Sequence, residues 1–378
     1  MKILYIGHYR ESGGWAKTSL DHILCLDNAG VDVVCRSVDL TPQSASKELP
    51  ARIKELEEKD LKNVDYCIQS LLPHQLIGTG KFKKNVAMFV SENSTIKHVW
   101  LDDLRQMDEV WVPNNYNKEV LQRDGIHNVK VVPYAFDVSS YEKSGKQISL
   151  YPIDNKFKFY FIGSTEGRGD ISGDRKNITS LLKSYYSEFV NGEQVCLVIK
   201  LKMFNKEPEQ TKALIDQEAK KIRDSLRMHK DESKYPQHVV WSEEIDEEMM
   251  QGLHRSCDCY VTMSHGEGWD VPAFEAMCYG NTPICPKEGG HLEYVDDNNL
   301  GTGKLLNGIY NVCCNLNPAF NEIGTGKEEW FCPSESEMKK AMRYYYENKH
   351  NIDRLVGKKQ AEKFSYENVA NIIKENLK

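Results

Sequence analysis

The chain lacks the cysteine spacing of either a disulfide framework or a zinc site. Its 11 cysteines are an odd number, no Cys-x-x-Cys pair occurs, and Cys257-Asp-Cys259 and the vicinal Cys313-Cys314 are poorly spaced for ordinary disulfides. No Cys/His quartet has zinc-ligand spacing. The thiols therefore read as free, buried groups of a reducing, cytoplasmic compartment. Long apolar runs are missing as well: nothing approaches the roughly 20 residues of a membrane-spanning helix. The apolar stretch after Lys2 falls short of the roughly 7–15 residues of a secretory signal and reads as a first strand. Positive charge is not in excess, since 49 Lys and Arg face 56 Asp and Glu for a net charge of −7. That balance excludes a global field that would gather nucleic acid or anionic lipid. The remaining composition, 40 % apolar and 28 % charged over 378 residues, excludes a wholly disordered, collagen-like or membrane-embedded chain. At about 150 residues per domain it predicts two or three domains with sizeable cores.

The first half alternates short apolar runs with helical stripes. Lys2–Ile6 ends at Gly7 and is followed by a loop. Ala16, Leu20, Ile23 and Leu24 then recur at helical spacing until Gly30, and Val31–Val34 reads as a second strand. This β-loop-α-β order opens a doubly wound parallel sheet. The loop carries Gly13 and Gly14 directly before the helix, where backbone N–H groups and the positive end of the helix dipole suit a phosphate. Further strands are predicted at Val64–Ile68, Val86–Val90, Asp108–Pro113 and Val129–Val132. They give a sheet of about six strands over residues 1–137. Ligands bind beyond the carboxyl ends of such strands, so His8, Gln69, His74, Glu92 and Asn114 are candidates there.

Residues 138–156 are polar, with Ser, Gly and Pro, and read as an interdomain linker. The strand–helix pattern then restarts. Phe157–Ile162 ends at Gly163; a loop over Ser164–Asp174 follows; and Arg175-Lys176-Asn177 precedes a helical stripe from Ile178. Cations at a helix start oppose its dipole, which reads either as an anion facing them or as a solvated basic turn. Strands at Val195–Ile199, Val239–Trp241 and Cys259–Met263 alternate with helices at Glu207–Lys230 and Glu247–Cys257. The next segment, His265-Gly-Glu267-Gly268-Trp269-Asp270-Val-Pro272-Ala-Phe-Glu275, is the most informative in the chain. It reads as a glycine-flanked loop running into a helix, with Pro272 at its first position and Gly280 past its end. Glu267 in the loop and Glu275 about one turn into the helix suit sugar and ribose hydroxyls, which donate hydrogen bonds to carboxylates. A carboxylate among Ala273, Phe274 and Ala276 needs partners.

The two glutamates, in EGWDVPAFEAMCYGNTPI, resemble the Glu-x7-Glu signature of the retaining glycosyltransferases of family four. The SGGWAKTS loop, the DEVWVPNNYNKEVLQRDG stretch, Arg175-Lys176-Asn177, and Trp330 with Pro333 also resemble that family. The likeness implies the α/β GT-B fold, two Rossmann-like doubly wound domains of parallel sheet facing a cleft. The N-terminal acceptor domain would span 1–137, the linker 138–156 and the nucleotide-sugar donor domain 157–358. Residues 359–378 would form a helix crossing back to the first domain. Lys176 and Arg175 would hold the donor pyrophosphate, and Gly13 and Gly14 would bring backbone amides to it. Glu267, Gly268, Trp269 and Asp270 would line the donor sugar, Glu275 the ribose, and His74 would lie beside the reacting sugar. Two positions depart from the family pattern. Ser164 stands where an arginine often follows the glycine of the first strand, so Arg168 or Arg175 would replace it. Asp270 stands where glycine is common.

The function this implies is transfer of a sugar from a UDP- or GDP-sugar to an acceptor hydroxyl with retention. Lys176, His74 and Glu267 would be the catalytic residues. No cofactor or metal is expected, because cations and helix-end amides would take the charge that develops on the pyrophosphate. The rivals are a GT-B sugar-nucleotide epimerase and a silent nucleotide-sugar-binding protein. The acceptor would be set by the loops Arg36–Pro50 and Leu71–Lys84, the second holding the Lys81–Lys84 cluster. A glycan or glycolipid is the default acceptor and DNA the remote one. A cytoplasmic protein is expected, with peripheral contact at the inner face of a membrane as an option and no stable protein partner.

Overall fold

The strands are near-continuous apolar runs, a pattern that requires cover on both faces and hence parallel pairing with helical crossovers. The computed structural model describes residues 1–11, 13–40, 48–142, 144–165, 173–204, 206–313 and 328–378. Part of the Arg36–Pro50 loop, Ser12, Arg168 and Cys314 thus lie outside the described residues. The chain divides into two compact units. Among the described residues, one comprises those within 1–140 and 362–378 together with Glu328, the other those within 141–313 and 329–361.

In the first unit β1 (Lys2–Gly7), α1 (Gly14–Asn28), β2 (Asp32–Ser37), α2 (Ala51–Glu58), β3 (Tyr66–Ser70), β4 (Lys84–Met88), α3 (His98–Arg105), β5 (Glu109–Val112), α4 (Asn115–Arg123) and β6 (Val129–Val131) follow in order. Six strands pair in the order β2-β1-β3-β4-β5-β6, and each pairing is parallel. One face is filled by Ile3, Ile23, Leu26, Val33, Ile53 and Ile68, the other by Ala87, Leu101, Leu104, Val110, Val120 and Ile126.

The second unit runs β7 (Phe157–Thr165), α5 (Ile178–Glu188), β8 (Val195–Met203), α6 (Pro208–Leu226), β9 (His238–Trp241), α7 (Glu247–Ser256), β10 (Cys259–Tyr260), α8 (Val271–Cys278), β11 (Ile284–Pro286), α9 (His291–Tyr294), β12 (Lys304–Leu306), β13 (Gly308–Cys313), β14 (Glu329–Pro333), α10 (Glu335–Glu347) and α11 (Leu355–Ala361). Four strands pair in the order β10-β7-β8-β9, all parallel. β11 and β12 form a second parallel pair. β13 and β14 add an antiparallel pair that the alternation of the sequence does not announce. The strand predicted at Cys259–Met263 is shorter, because past β10 the backbone bonds to β11 instead, Thr262 N–H donating to the Ile284 carbonyl at 2.9 Å.

Helix α12 (Tyr366–Asn376) belongs to the first unit. Its Val369, Ala370 and Ile373 join the same core as Ile3 and Ile23, and the Tyr366 hydroxyl donates to Asp21 at 2.6 Å. Ile373 is 1 % exposed, so Ile373→Ala should destabilise the chain by about 2–5 kcal/mol through the lost burial and the cavity left behind. Urea unfolding checks this, and a midpoint equal to wild type would show the helix to be loosely held.

Candidate active site

Strand order places the site. From β7 the chain winds to β8 and β9 on one side, then returns to β10 on the other. Ligands of open parallel sheets bind at such a reversal, beyond the carboxyl ends of the strands. The segments leaving β7 and β10 carry Arg175 and Lys176, and Glu267, respectively.

These side chains meet. Lys176 Nζ donates to Glu267 Oε1 at 2.6 Å, and Arg175 Nη1 lies 3.2 Å from the same oxygen. The same Nη1 also donates to the Gly266 carbonyl at 2.5 Å. Burial would raise the pKa of Glu267, but the charges of Lys176 and Arg175, with hydrogen bonds from Lys176 and Ser264, outweigh it and hold the carboxyl well below its ordinary range. The lysine is aimed by its own backbone. Asp174 accepts from Lys176 N–H at 2.9 Å, and it also takes a bond from the Thr165 hydroxyl. Asn177 adopts the left-handed region, φ 49°, to cap α5, and its amide donates to the Met263 carbonyl at 3.0 Å. The start of α5 is thereby tied to the segment leading to Glu267. Gly163 completes the cradle, since a Cβ there would stand 2.7 Å from the Phe161 ring and 3.6 Å from Lys176 Cε.

Asp270 has a structural role that the sequence reading did not find. It caps α8 from the left-handed region, φ 62°, so the helix starts at Val271 and Pro272 is its second residue. Its Oδ1 accepts from Tyr260 at 3.3 Å, and its Oδ2 faces His291 Nε2 at 3.1 Å. The other ring nitrogen, Nδ1, faces the Glu288 carbonyl at 3.1 Å. A neutral imidazole has one N–H, so the ring that satisfies both acceptors is the imidazolium. Burial opposes that charge, yet the hydrogen bond and charge of Asp270, with Glu267 and Glu288 nearby, raise the pKa of His291. Gly289 and Gly290 let this loop close onto the Glu267 segment: added Cβ atoms would stand 2.2 Å from the Glu267 carbonyl oxygen and 2.3 Å from Trp269 Cα. Trp269 itself is buried, 5.6 Å from the Tyr294 ring and 5.9 Å from Phe274. It packs as core beside the loop that carries Gly268.

Glu275 has its own partners. Tyr141, in the predicted linker, donates to its Oε1 at 3.2 Å, and His254 Nε2 lies 3.6 Å from Oε2. His265 is fixed by the Phe331 carbonyl at 2.7 Å and stacks on Trp330 with centroids 5.6 Å apart. Sequence reasoning missed Tyr141, Ser264 and the Glu288–His291 loop, where the Gly289-Gly290 pair offered a local signal, and it named Trp330 without its stack on His265.

The remaining candidates lie in the first unit. Gly13, φ 104°, caps α1 and Gly14 is its first residue. His74 is exposed in a short 3₁₀ turn, Pro73–Gln75. His8 is buried, held by the Val38 carbonyl at 2.5 Å and by Gln75 at 2.8 Å. Gln69 is spent on the Ile77 backbone, Asn114 caps α4, and Glu92 is half-buried.

The family model of the group 1 glycosyl transferases matches residues 200–308, a stretch that includes Glu267, Asp270 and Glu275 but not Arg175 or Lys176. No curated protein matches the chain in sequence. Among solved structures, HepE from Anabaena in complex with UDP-glucose superposes with a TM-score of 0.64 at 13 % identity, covering 100 % of this chain and 99 % of that one. Sucrose-phosphate synthase from Thermosynechococcus elongatus gives 0.64 at 14 % identity, over 99 % and 98 %. The lipopolysaccharide outer core galactosyltransferase WaaB gives 0.61 at 14 % identity, over 100 % of both chains. The fold is that of the GT-B glycosyltransferases.

The Asp270–His291 pair has a pH signature. A histidine whose folded pKa is raised contributes stability that is complete below its unfolded value of about 6.5 and is lost as pH rises through the folded value. His291→Ala should cost about 3 kcal/mol near pH 6, because it strands a buried carboxylate, and the deficit should shrink at alkaline pH. Urea titrations of both proteins across pH measure it. A deficit independent of pH would assign a neutral ring.

Proposed function

We propose that the chain is a glycosyltransferase that moves a sugar from a nucleotide donor to an acceptor hydroxyl with retention and without a metal. The observation that carries the reading is the meeting of Lys176, Arg175 and Glu267 where the strand order of a parallel sheet reverses. Lysine carries three N–H donors and arginine five, so both can hold Glu267 and still present donors to an anion. The family match over residues 200–308 and the GT-B fold support the class. The UDP-glucose bound by HepE favours a UDP-sugar over a GDP-sugar.

In this reading Lys176 and Arg175 take the negative charge that builds on the leaving diphosphate as the bond from the anomeric carbon to phosphate oxygen breaks. Preorganised cations in a water-poor site stabilise such charge strongly. The acceptor oxygen attacks from the face the diphosphate leaves, and its proton passes to a departing phosphate oxygen, so no enzyme nucleophile is needed. Glu267 orients the two cations and meets the donor sugar, and Glu275 meets the ribose. In the first unit the reading gives the Gly13 and Gly14 amides to the donor and His74 to the reacting sugar. A glycan or glycolipid acceptor belongs to the same proposal, as does a cytoplasmic location with peripheral membrane contact. Among the described residues no helix is long and apolar enough to cross a membrane.

Thermal denaturation with UDP and with GDP, each at about 100 times its dissociation constant, should show roughly 2.7 kcal/mol of added stability for the matching nucleotide. Stabilisation by neither removes the donor assignment. Lys176→Ala should then lower turnover by roughly 100-fold or more, and proton NMR of the product should show the donor's anomeric configuration. Turnover within a few fold of wild type would take Lys176 out of the chemistry. Donor consumed without an acceptor product would indicate an epimerase.

A further inference from the structure

Among the described residues the buried lysines have visible counterparts, with one exception. Lys97 places its ammonium 4.8 Å from the centre of the Trp100 ring. Lys158 donates to the carbonyls of Asp154 at 2.9 Å and Lys156 at 2.8 Å. Lys200 is 6 % exposed, and no hydrogen bond or ion pair reaches its ammonium among the described residues. The nearest charges are those of Glu243, Lys202 and Glu244. Glu244 is engaged by Lys202, and Glu243 accepts from the Ser242 N–H at 3.1 Å. Burial keeps the pKa of Lys200 below the ordinary lysine value. The side chain is largely buried while no described group satisfies its ammonium by a hydrogen bond or ion pair, which points to an anion that arrives from outside.

The location of Lys200 says which anion. It lies toward the carboxyl end of β8, in register with Ile162 on β7 and Trp241 on β9. Strand residues alternate faces. Leu197, Ile199, Leu201 and Met203 enter the core that also takes Cys259, Val261 and Met263. Lys200 therefore projects from the opposite face of β8. Lys176 approaches the same edge from the other side, since it packs over Gly163 next to Phe161, a member of that core. The two lysines flank one strand end from its two faces.

We propose that Lys200 is a further cation of the donor site, meeting an anionic oxygen of a nucleoside diphosphate from the sheet face opposite Lys176. The proposal rests on the nucleotide-donor reading above and adds a residue to it. Two features of the chain favour a ligand role over a structural one. Among the described residues no hydrogen bond or ion pair uses the charge, and the stem alone would fill the space that an unbranched apolar side chain could fill.

The test is calorimetric binding of UDP and GDP to wild type, Lys200→Met and Lys200→Arg, with urea unfolding of each free protein. Lys200→Met should bind the nucleotide that wild type selects at least tenfold more weakly, with a flatter dependence on ionic strength. Its free form should be as stable as wild type or more so, since no hydrogen bond or ion pair is lost. Lys200→Arg should bind within a few fold of wild type. Unchanged affinity in Lys200→Met overturns the proposal, as does a loss of stability that accompanies the loss of binding, which would mark a structural lysine. Weaker binding with an unaltered salt dependence would give Lys200 a contact other than the diphosphate charge, and overturns it too. If wild type binds neither nucleotide, the donor reading itself falls, and that outcome is separate from any difference among the variants.

Discussion

Glu267 is a buried carboxylate kept ionised by two cations, and the architecture around it follows from that demand. A charge out of water needs close partners on well-held backbones. Lys176 and Arg175 leave one strand and Glu267 leaves another, so the two segments must be fixed to each other within a fraction of an ångström. Three devices do this: the left-handed Asn177 that caps α5 and bonds the Met263 carbonyl, the close packing at Gly163, and the Gly289-Gly290 turn pressed onto residues 267–269. None of these touches the charged groups directly, and all of them limit where those groups can go.

Asp270 shows how a departure from the usual residue is accommodated. At φ 62° a glycine would sit without strain, whereas a side chain there is disfavoured. Aspartate offsets the strain with what glycine cannot offer. One carboxylate oxygen serves the helix cap and the Tyr260 hydroxyl, and the other takes a charged hydrogen bond from His291. The imidazolium is held in turn by the Glu288 carbonyl, directly before the two glycines. Cap, loop and glycine turn form one connected unit, which places Asp270 in the frame of the site.

Much of the fold was legible in the amino-acid order. The strands from Lys2 through Val131 and the helix after Gly14 follow from apolar runs bounded by Gly30, Gly125 and Pro133, and Glu267 and Lys176 stood out by their chemistry. Partners were not legible, because they come from residues far apart in sequence. Nothing local joins Tyr141 to Glu275 or His291 to Asp270. The short helix α3 escaped notice because only Leu101 and Leu104 of its eight residues are buried, too thin a stripe to read. Lys200 looked like the polar end of a strand. Its burial depends on the faces covering β8, which no periodicity within that strand reveals.

Two kinds of charge stand at the carboxyl edge of the second unit's sheet. Asp270 with His291, and Glu267 with Lys176 and Arg175, are matched inside the protein and hold segments in place. Lys200 has no hydrogen bond or ion pair among the described residues, so its charge is open to a ligand. A scaffold under selection for stability alone would favour the first kind and replace the second by an apolar residue. That both kinds gather at the carboxyl edge of one sheet, around the end of β7, is the arrangement for a polyanion gripped from two faces: paired charges set the geometry, and the unpaired one supplies an attraction that exists only when the ligand is present.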